Sequence, residues 1–277
     1  GLADMTGLAP CVDEAPSLFE ELGGETAINA VLDEFLANVL ADSTINWMFA
    51  NADAADLKSK LYDQICEATG GGCTYTGLDM VTAHATMAIT DAQFNALVGD
   101  LLAAFDTLGV AYTPTFDGGL PADTLITVLA GMQGDIVTDA DGSGVYFNQL
   151  GGHAAVQAVI DDFLVRVGGN TDINSFFAST DLAALNAKLV DQVCEATGGF
   201  CTYTGQDMVT AHTGMCVSQN DFNSMAGNLL ETLDAIGVPY TANTYDGGAL
   251  GDALVTVIVG MAPDIVEDPE NDGCLTK

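Results

Sequence analysis

Two copies of one sequence make up most of the chain, and this internal repeat sets its architecture. The segment 18–24 recurs at 146–152, an offset of 128 residues. Between 57–87 and 185–215 the residues are identical at 23 of 31 positions, without a gap. Each copy has about 120 residues, which is enough for one hydrophobic core.

The repeat therefore predicts two domains joined by a short linker. The predicted parts are an N-terminal extension at 1–16, a first domain at 17–138, a linker at 139–144, a second domain at 145–266 and a C-terminal tail at 267–277. The linker is short and polar, which favours a flexible joint.

Within each copy the apolar residues recur with helical spacing. In the first copy they form one face of a predicted helix: Ala27, Ile28, Val31, Leu32, Phe35 and Val39. Further helices are predicted over 56–68, 90–108 and 123–136, with Asp53 and Thr90 as N-caps. Glycine runs at 70–72 and 198–199 end the preceding helices. The expected fold class is all-α.

The charge balance excludes some partners. The chain has 39 acidic and 5 basic residues, a formal net charge of −34 at pH 7, with a mean hydropathy of +0.30. Such a polyanion repels phosphate backbones and anionic lipid surfaces, so we expect no nucleic-acid binding. The longest nearly apolar stretch, 253–263, is about half of the ~20 residues that a membrane-spanning helix needs, so membrane insertion is not expected.

The cysteines favour an oxidising compartment. The repeat relates Cys66 and Cys73 to Cys194 and Cys201, and the spacing favours one local disulfide in each copy over a zinc site. Buried thiols are the alternative. Disulfides, together with a chain that begins at Gly1, predict a secreted or extracellular protein, with the periplasm as an alternative.

Three cysteines have no repeat partner. Cys11 and Cys274 lie in opposite terminal extensions, so they could bond to each other or to another copy of the chain. Cys216 is left as the odd cysteine; it lies four residues after His212 and could line a pocket there.

Two of the three histidines, His84 and His212, are equivalent in the repeat and lie among apolar residues. One interpretation is a histidine packed in each core. The other is a haem-iron ligand, because haem needs a neutral imidazole nitrogen beside a buried apolar pocket. The third histidine, His153, takes the place of Glu25 and is interpreted as a surface residue.

The motifs around these histidines resemble the truncated haemoglobins, and the group 1 proteins most of all. The resemblance runs through Leu22-Gly-Gly24, Trp47-Met-Phe49, Tyr75-Thr-Gly-x-Asp-Met80 and Ala83-His84, and it repeats in the second copy. It implies two tandem two-over-two helical sandwiches, each around one haem b. It also makes His84 and His212 the proximal iron ligands, and it places Phe49 and Phe177 against the haem.

The same resemblance places Lys60 and Lys188 as partners of the haem propionates. These two are equivalent in the repeat and are among only five basic residues, although an ordinary solvated helix face is the alternative. The remaining residues expected around the cofactor are Met80, Phe94, Met208 and Phe222.

The distal side departs from the family pattern. Leu36 and Leu164 stand where the family commonly has a tyrosine, and the rest of the distal face is Leu57, Leu61, Leu185 and Leu189. These six positions carry no hydrogen-bond donor. Because such a bond contributes about 1.5–3 kcal/mol, we expect weaker oxygen retention and leave an enzymatic role open. Neutral diatomic gases such as O2, CO and NO are the expected ligands.

An alternative function is a haem-bearing building block of an extracellular filament, with a structural or electron-relay role. The unpaired Cys11 and Cys274 and the loss of distal polar residues motivate it. Contacts between successive copies that do not close into a ring make filaments. The terminal extensions would form the homopolymer contacts.

Overall fold

The structure is a computed structural model that describes residues 15–241 and 249–268. The helices of the first repeat are α1 (Leu18–Glu21), α2 (Gly24–Ala41), α3 (Ala54–Ala68), α4 (Met80–His84), α5 (Asp91–Leu108), α6 (Pro121–Ala130) and α7 (Gln133–Ile136), with a 3₁₀ turn at Asn46–Phe49. Those of the second repeat are α8 (Tyr146–Gln149), α9 (Gly152–Gly169), α10 (Leu182–Ala196), α11 (Met208–His212), α12 (Gln219–Ile236), α13 (Leu250–Gly260) and α14 (Ala262–Ile265), with a 3₁₀ turn at Asn174–Phe177. The same helices occur in the same order twice, so the all-α expectation is confirmed.

Side-chain caps fix where the helices around the candidate site begin. The carboxylate of Asp53 accepts hydrogen bonds from the backbone N–H groups at the start of α3, and Asp181 does the same for α10. Thr90 and Gln93 bond each other's backbone N–H groups at the start of α5. Both N-caps predicted from the sequence, Asp53 and Thr90, are therefore present.

The chain divides into two compact units that do not coincide with the two repeats. Among the described residues, unit 1 comprises 15–39, 52–78 and 98–132, and unit 2 comprises 40–51, 79–97, 133–241 and 249–268. The buried core of unit 1 includes Ile28, Leu32, Phe35, Ile65, Leu101, Phe105, Leu125 and Ile126.

Described residues of unit 2 form a larger and a smaller hydrophobic cluster. The larger includes Phe147, Val156, Ile160, Leu164, Val193, Leu229, Leu233 and Leu254. The smaller consists of Val217, Phe222 and Ile265, with Phe176, Met208, Met225 and Met261 packed against it. This smaller cluster lies beside the second repeat's candidate histidine.

One predicted helix is wrong in its extent. The helix expected over 123–136 is two helices, α6 and α7, because the chain turns between Ala130 and Gln133. The backbone N–H of Gly131 still bonds to the carbonyl of Thr127, and that of Met132 bonds to Leu129 in the tighter pattern that ends a helix. The apolar periodicity continues across the break, so it could not show the break.

The linker, predicted from its short polar sequence to be a flexible joint, carries several hydrogen bonds. Asp139 is 7% exposed, and its carboxylate accepts hydrogen bonds from Gly144 N, at 2.7 Å, and from Asn148 Nδ2, at 2.7 Å. The backbone N–H groups of Thr138 and Asp139 both bond to the carbonyl of Ile89. These bonds hold the start of the linker against the segment that follows α4.

Both repeat-related disulfides are present. Cys66 bonds to Cys73 and Cys194 bonds to Cys201, each with Cα atoms less than 6 Å apart, at 5.6 and 5.8 Å. Cys216 is also disulfide-bonded, so it is not the free odd cysteine that the sequence indicated. Cys11 and Cys274 lie outside the described residues.

Among the helices of the described segments, none combines the length and hydropathy needed to cross a bilayer.

Candidate haem site

The second repeat's histidine is held in one tautomer. His212 is the last residue of α11, and its Nδ1 lies 2.8 Å from the carbonyl oxygen of Met208, one turn earlier. A carbonyl oxygen can only accept, so Nδ1 carries a proton, and in the neutral imidazole the lone pair is then on Nε2. In this tautomer the half-buried ring offers Nε2 as the nitrogen that can ligate a metal.

The first repeat holds its histidine in the same way. His84 ends α4, and its Nδ1 lies 2.8 Å from the carbonyl oxygen of Met80. A hydrogen bond on the second ring nitrogen fixes the orientation of a ligating imidazole and raises its basicity. The structure thus gives both histidines the same tautomer.

The short helices that carry these histidines are capped strongly. Asp207 accepts hydrogen bonds from the backbone N–H and the hydroxyl of Thr210, at 2.8 and 2.7 Å. These bonds lower the pKa of the Asp207 carboxyl, and the equivalent bonds from Thr82 lower that of Asp79. A five-residue helix has little stability of its own, so the cap defines where the histidine lies.

A cavity lies beside His212. It has a volume of about 100 Å³ and is lined mostly by apolar side chains. Two of the residues predicted around the cofactor line it: Phe177 and Phe222. The others are Ile173, Phe176, Met215, Val217, Asp221, Met225 and Ile265.

This cavity is smaller than a cofactor pocket, since pockets for sizeable ligands usually have about 300–1,000 Å³. Binding a porphyrin therefore requires the flanking side chains to move apart. Met215 is 36% exposed and has a flexible side chain that can do so.

The other predicted residues of the second repeat lie elsewhere in unit 2. Met208 packs against the cluster of Val217, Phe222 and Ile265. Leu164 belongs to the larger hydrophobic cluster, and Leu185 and Leu189 pack against that cluster. The structure therefore brings Phe177, Met208, His212 and Phe222 together and places the three leucines with the larger cluster.

Lys188 lies on α10 with its side chain exposed. Within the described part of the chain, it has no carboxylate at ion-pair distance. Lys60 differs, because its Nζ lies 3.1 Å from Asp56 on the same exposed helix face. The two lysines are thus equivalent in sequence but not in their partners.

The predicted residues of the first repeat fall into both units. In unit 2, Phe94 is 5% exposed, and Phe49, Met80 and His84 are half-buried. In unit 1, Leu36, Leu57 and Leu61 are half-buried and Lys60 is exposed.

The structure also points to polar residues that the sequence argument missed. Gln192 Nε2 lies 3.6 Å from the sulfur atoms of both Met208 and Met261. In the first repeat, Gln64 Nε2 lies 3.4 Å from the sulfur of Met132. Thioethers are weak acceptors, so these amides are unusual inside apolar surroundings. Their signal in the sequence was an identical Asp-Gln pair before the first cysteine of each disulfide.

Comparison with known proteins identifies the family. A family model described as bacterial-like globin matches residues 17–115 and 145–250, which is more than half of the chain. The chain belongs to the bacterial-like globins. Its two repeats are tandem truncated-haemoglobin domains.

Individual globins match about one repeat each. The group 1 truncated hemoglobin GlbN of Mycolicibacterium paratuberculosis is 32% identical over 116 residues, covering 42% of this chain and 85% of that protein. The group 1 truncated hemoglobin LI410 of Chlamydomonas moewusii is 38% identical over 110 residues, covering 39% of this chain and 64% of its own length. The crystal structure of truncated hemoglobin from Tetrahymena pyriformis is 28% identical, with a TM-score of 0.40, and covers 44% of this chain and 98% of that one.

The residues at the second site of this globin fit a haem. His212 offers one neutral nitrogen with its tautomer fixed, and the phenylalanine and methionine side chains beside it offer an apolar surface. A ligating imidazole and an apolar surface beside it are groups that a b-type haem requires of a protein.

Proposed function

We propose that this globin is a di-haem protein that binds diatomic gases, with one haem b in each repeat. The observation that carries the proposal is the neutral imidazole of His212, held by Met208 O at 2.8 Å beside an apolar cavity. His84 repeats the same hydrogen bond with Met80, so two sites are proposed. When bound, the haem supplies an iron atom with an open position for O2, CO or NO.

The protein contributes ligation, burial and orientation. His84 and His212 are the proposed proximal ligands, and Phe49 and Phe177 are the proposed packing partners of the ring. Lys188 is exposed and free of carboxylate partners in the described segments, which supports its role beside a propionate. Lys60 must exchange Asp56 for a propionate to take the same role.

The predicted distal residues favour neutral gas ligands that are bound without a hydrogen bond from the protein. The resemblance to truncated haemoglobins assigns Leu164, Leu185 and Leu189 to the distal face, although in this structure they pack with the larger hydrophobic cluster. If they face the cofactor once it is bound, their hydrocarbon side chains donate no hydrogen bond to a bound gas. Losing one polarised bond lowers affinity by about one to two powers of ten. We therefore infer weak oxygen retention and little effect on CO, which depends less on such a bond.

A secreted location is part of the proposal. Two disulfides close short loops, and a third cysteine, Cys216, is also oxidised. Disulfides persist in extracellular and periplasmic compartments and are rare in reducing ones. Fractionation of the native host, followed by detection of the protein outside the cytoplasm, tests this part.

Titration of the purified protein with haemin tests the haem proposal. The wild type should develop a Soret band that saturates at two haems per chain. His84→Ala and His212→Ala should each saturate at one, and the double variant at none. His153→Ala is the matched control and should still bind two. A wild type without a Soret band, or a double variant that binds as the wild type does, would overturn the proposal.

The filament alternative remains a prediction, because Cys11 and Cys274 lie outside the described residues. Non-reducing electrophoresis separates the two functions. A ladder of oligomers that collapses under reductant supports polymerisation, and a single monomer band contradicts it.

A further inference from the structure

The segment that follows each candidate histidine is held by a different side chain in the two repeats. In the first repeat, the chain leaves α4 at His84 and reaches Ala88, which has a positive φ of 49°. A residue other than glycine adopts this conformation at a cost and needs support from its surroundings. The support comes from outside the first repeat.

Asn148 of α8 supplies that support. Its Nδ2 donates to the carbonyl oxygen of Ala88 at 2.7 Å and to Asp139 Oδ2 at 2.7 Å. Both neighbours are acceptors, so the amide nitrogen and not the amide oxygen must face them. The counterpart of Asn148 in the first repeat is Glu20, which could not donate these bonds.

Further hydrogen bonds hold the segment after His84. Together with those of Asn148, we call them the first clamp. Asp139 is nearly buried, and its other carboxylate oxygen accepts from Gly144 N at 2.7 Å. Ile89, next to Ala88, is 7% exposed, and its carbonyl accepts from Thr138 N and Asp139 N at 3.1 and 3.0 Å. Five residues after His84, the backbone is therefore fixed on both sides.

In the second repeat, the side chain that holds the segment accepts hydrogen bonds instead of donating them. We call the bonds of Glu267 the second clamp. Cys216, the counterpart of Ala88, also has a positive φ, of 55°. Here the carboxylate of Glu267 accepts from Gly214 N and from Cys216 N, both at 2.7 Å. The backbone N–H of Glu267 bonds to Val217 O at 3.0 Å. The loop before α13 is one residue longer than its counterpart in the first repeat, so the offset becomes 129 and the counterpart of Glu267 is Thr138, which has no carboxylate.

We propose that Asn148 and Glu267 are positioning residues that give the two haem irons different properties. This inference rests on the proposed function, because it acts through His84 and His212. Asn148 is neutral and donates to a carbonyl, whereas the exposed, negatively charged carboxylate of Glu267 accepts from the backbone N–H groups two and four residues after His212. A nearby negative charge stabilises the more positive ferric state, so the second site has the lower midpoint potential.

Variants that keep only one of the two histidines allow the effect of each clamp to be measured separately. His212→Ala leaves only the first site, and His84→Ala leaves only the second. Adding Asn148→Leu should shift the iron–histidine stretching frequency of the first-site protein and leave the second-site protein unchanged. Adding Glu267→Gln should raise the midpoint potential of the second site alone. Asn148→Gln keeps the amide and should partly restore the first-site frequency.

Hydrogen exchange supplies a readout that needs no haem. In the full chain without cofactor, Asn148→Leu should speed amide exchange in 85–90 by about tenfold, which is the effect of losing one hydrogen bond. Exchange in 213–218 should not change. Glu267→Gln should produce the reverse pattern.

The outcomes separate the two proposals. If the wild type shows no Soret band, the proposed function fails, while the exchange measurements still test the clamps. If the haems bind but Asn148→Leu and Glu267→Gln leave the stretching frequencies and both potentials unchanged, the positioning roles are wrong. Changes of equal size at both sites would also overturn them, because each clamp contacts one segment only.

Discussion

The indole ring of Trp47 stacks on the imidazole ring of His153, with centroids 5.5 Å apart and planes 10° from parallel. Trp47 also meets Phe147 edge-on at 5.2 Å. His153 is half-buried, so the sequence-based interpretation of a surface histidine was only partly right. Burial lowers the pKa of its imidazole, and the nearby Asp191 carboxylate opposes that shift.

This pair predicts a loss of stability on mild acidification. Because the folded-state pKa of His153 lies below its ordinary value, the unfolded chain takes up the proton first as the pH falls. The contribution of neutral His153 to the free energy of unfolding is complete above about pH 6.5 and is lost progressively below that value. His153→Phe keeps a flat ring on Trp47 without the proton, so its urea midpoint should change less between about pH 7 and pH 5 than that of the wild type.

Asp191→Asn provides the matched comparison. Burial raises the pKa of the Asp191 carboxyl, and His153 opposes this shift. Without that carboxylate the pKa of His153 falls further, so the urea midpoint should drop more steeply with acidification. If His153→Phe retains the wild-type pH dependence, the stacked histidine is not its source.

The disulfides of the two repeats should contribute equally to the free energy of unfolding. Cys73→Ser and Cys201→Ser each open a loop with a sequence separation of 7. Such a loop corresponds to about 2–3 kcal/mol of unfolding free energy, mainly from the entropy of the unfolded chain. Guanidinium unfolding followed by far-ultraviolet ellipticity measures the loss. A wild type whose midpoint is unaffected by reductant would contradict this expectation.

Two equivalent glycines lie too close to the disulfides to accept a side chain. A Cβ at Gly71 would lie 2.6 Å from Cys66 Sγ, and one at Gly199 would lie 2.5 Å from Cys194 Sγ. Gly71→Ala and Gly199→Ala should therefore each destabilise the protein by about 1–3 kcal/mol.

Two other equivalent glycines serve as controls for that experiment. Gly99 and Gly227 lie within α5 and α12, and a Cβ at either would meet no atom within 4 Å. Alanine at these positions should stabilise the helix by about 0.5–1 kcal/mol. Thermal unfolding should thus move in opposite directions for the two pairs, and a shift in one common direction would refute the packing argument.

A buried carboxylate organises the loop before α6. Asp123 is fully buried and accepts from Thr113 N at 2.6 Å and from Leu120 N at 3.1 Å. Burial alone would raise its pKa, but hydrogen bonds from Thr113, Leu120 and Gly119 outweigh burial and hold the pKa below its ordinary value. Its stabilising contribution is therefore present above about pH 4 and is lost as the pH falls through the folded-state pKa.

Asp123→Asn should lower the melting temperature at neutral pH, because an amide cannot accept all of these bonds. The difference from the wild type should narrow below about pH 4. Asp117→Asn is the control, since Asp117 is exposed in the same loop and should change the melting temperature little. An equal effect of both substitutions would show that burial of Asp123 is unimportant.

Much of the fold could be predicted because it depends on local patterns. The helical spacing of the apolar residues, the caps at Asp53 and Thr90 and the two disulfides all follow from neighbours in sequence. The ordered linker could not be predicted in this way. Its Asp139 is fixed by Asn148, and no spacing rule connects a polar linker to the next helix.

The candidate site was predictable only in part for the same reason. The repeat singled out His84 and His212, and Phe177 and Phe222 do lie at the cavity. Leu164, predicted on the distal face, packs in the larger cluster, and its contact with the cofactor stays a prediction. Phe176 and Met225 line the cavity although their counterparts, Met48 and Leu97, are different residues, so repeat equivalence could not single them out.

Trp47 is the only tryptophan in the chain, and it lies where residues 40–51 pack against α8 and α9. Its emission is therefore an intrinsic optical probe of one defined place rather than an average over many. Phe49, proposed to pack on the first haem, is two residues away, so energy transfer from this indole would quench its emission as that site fills. The protein thus carries its own reporter of cofactor loading, without an added label.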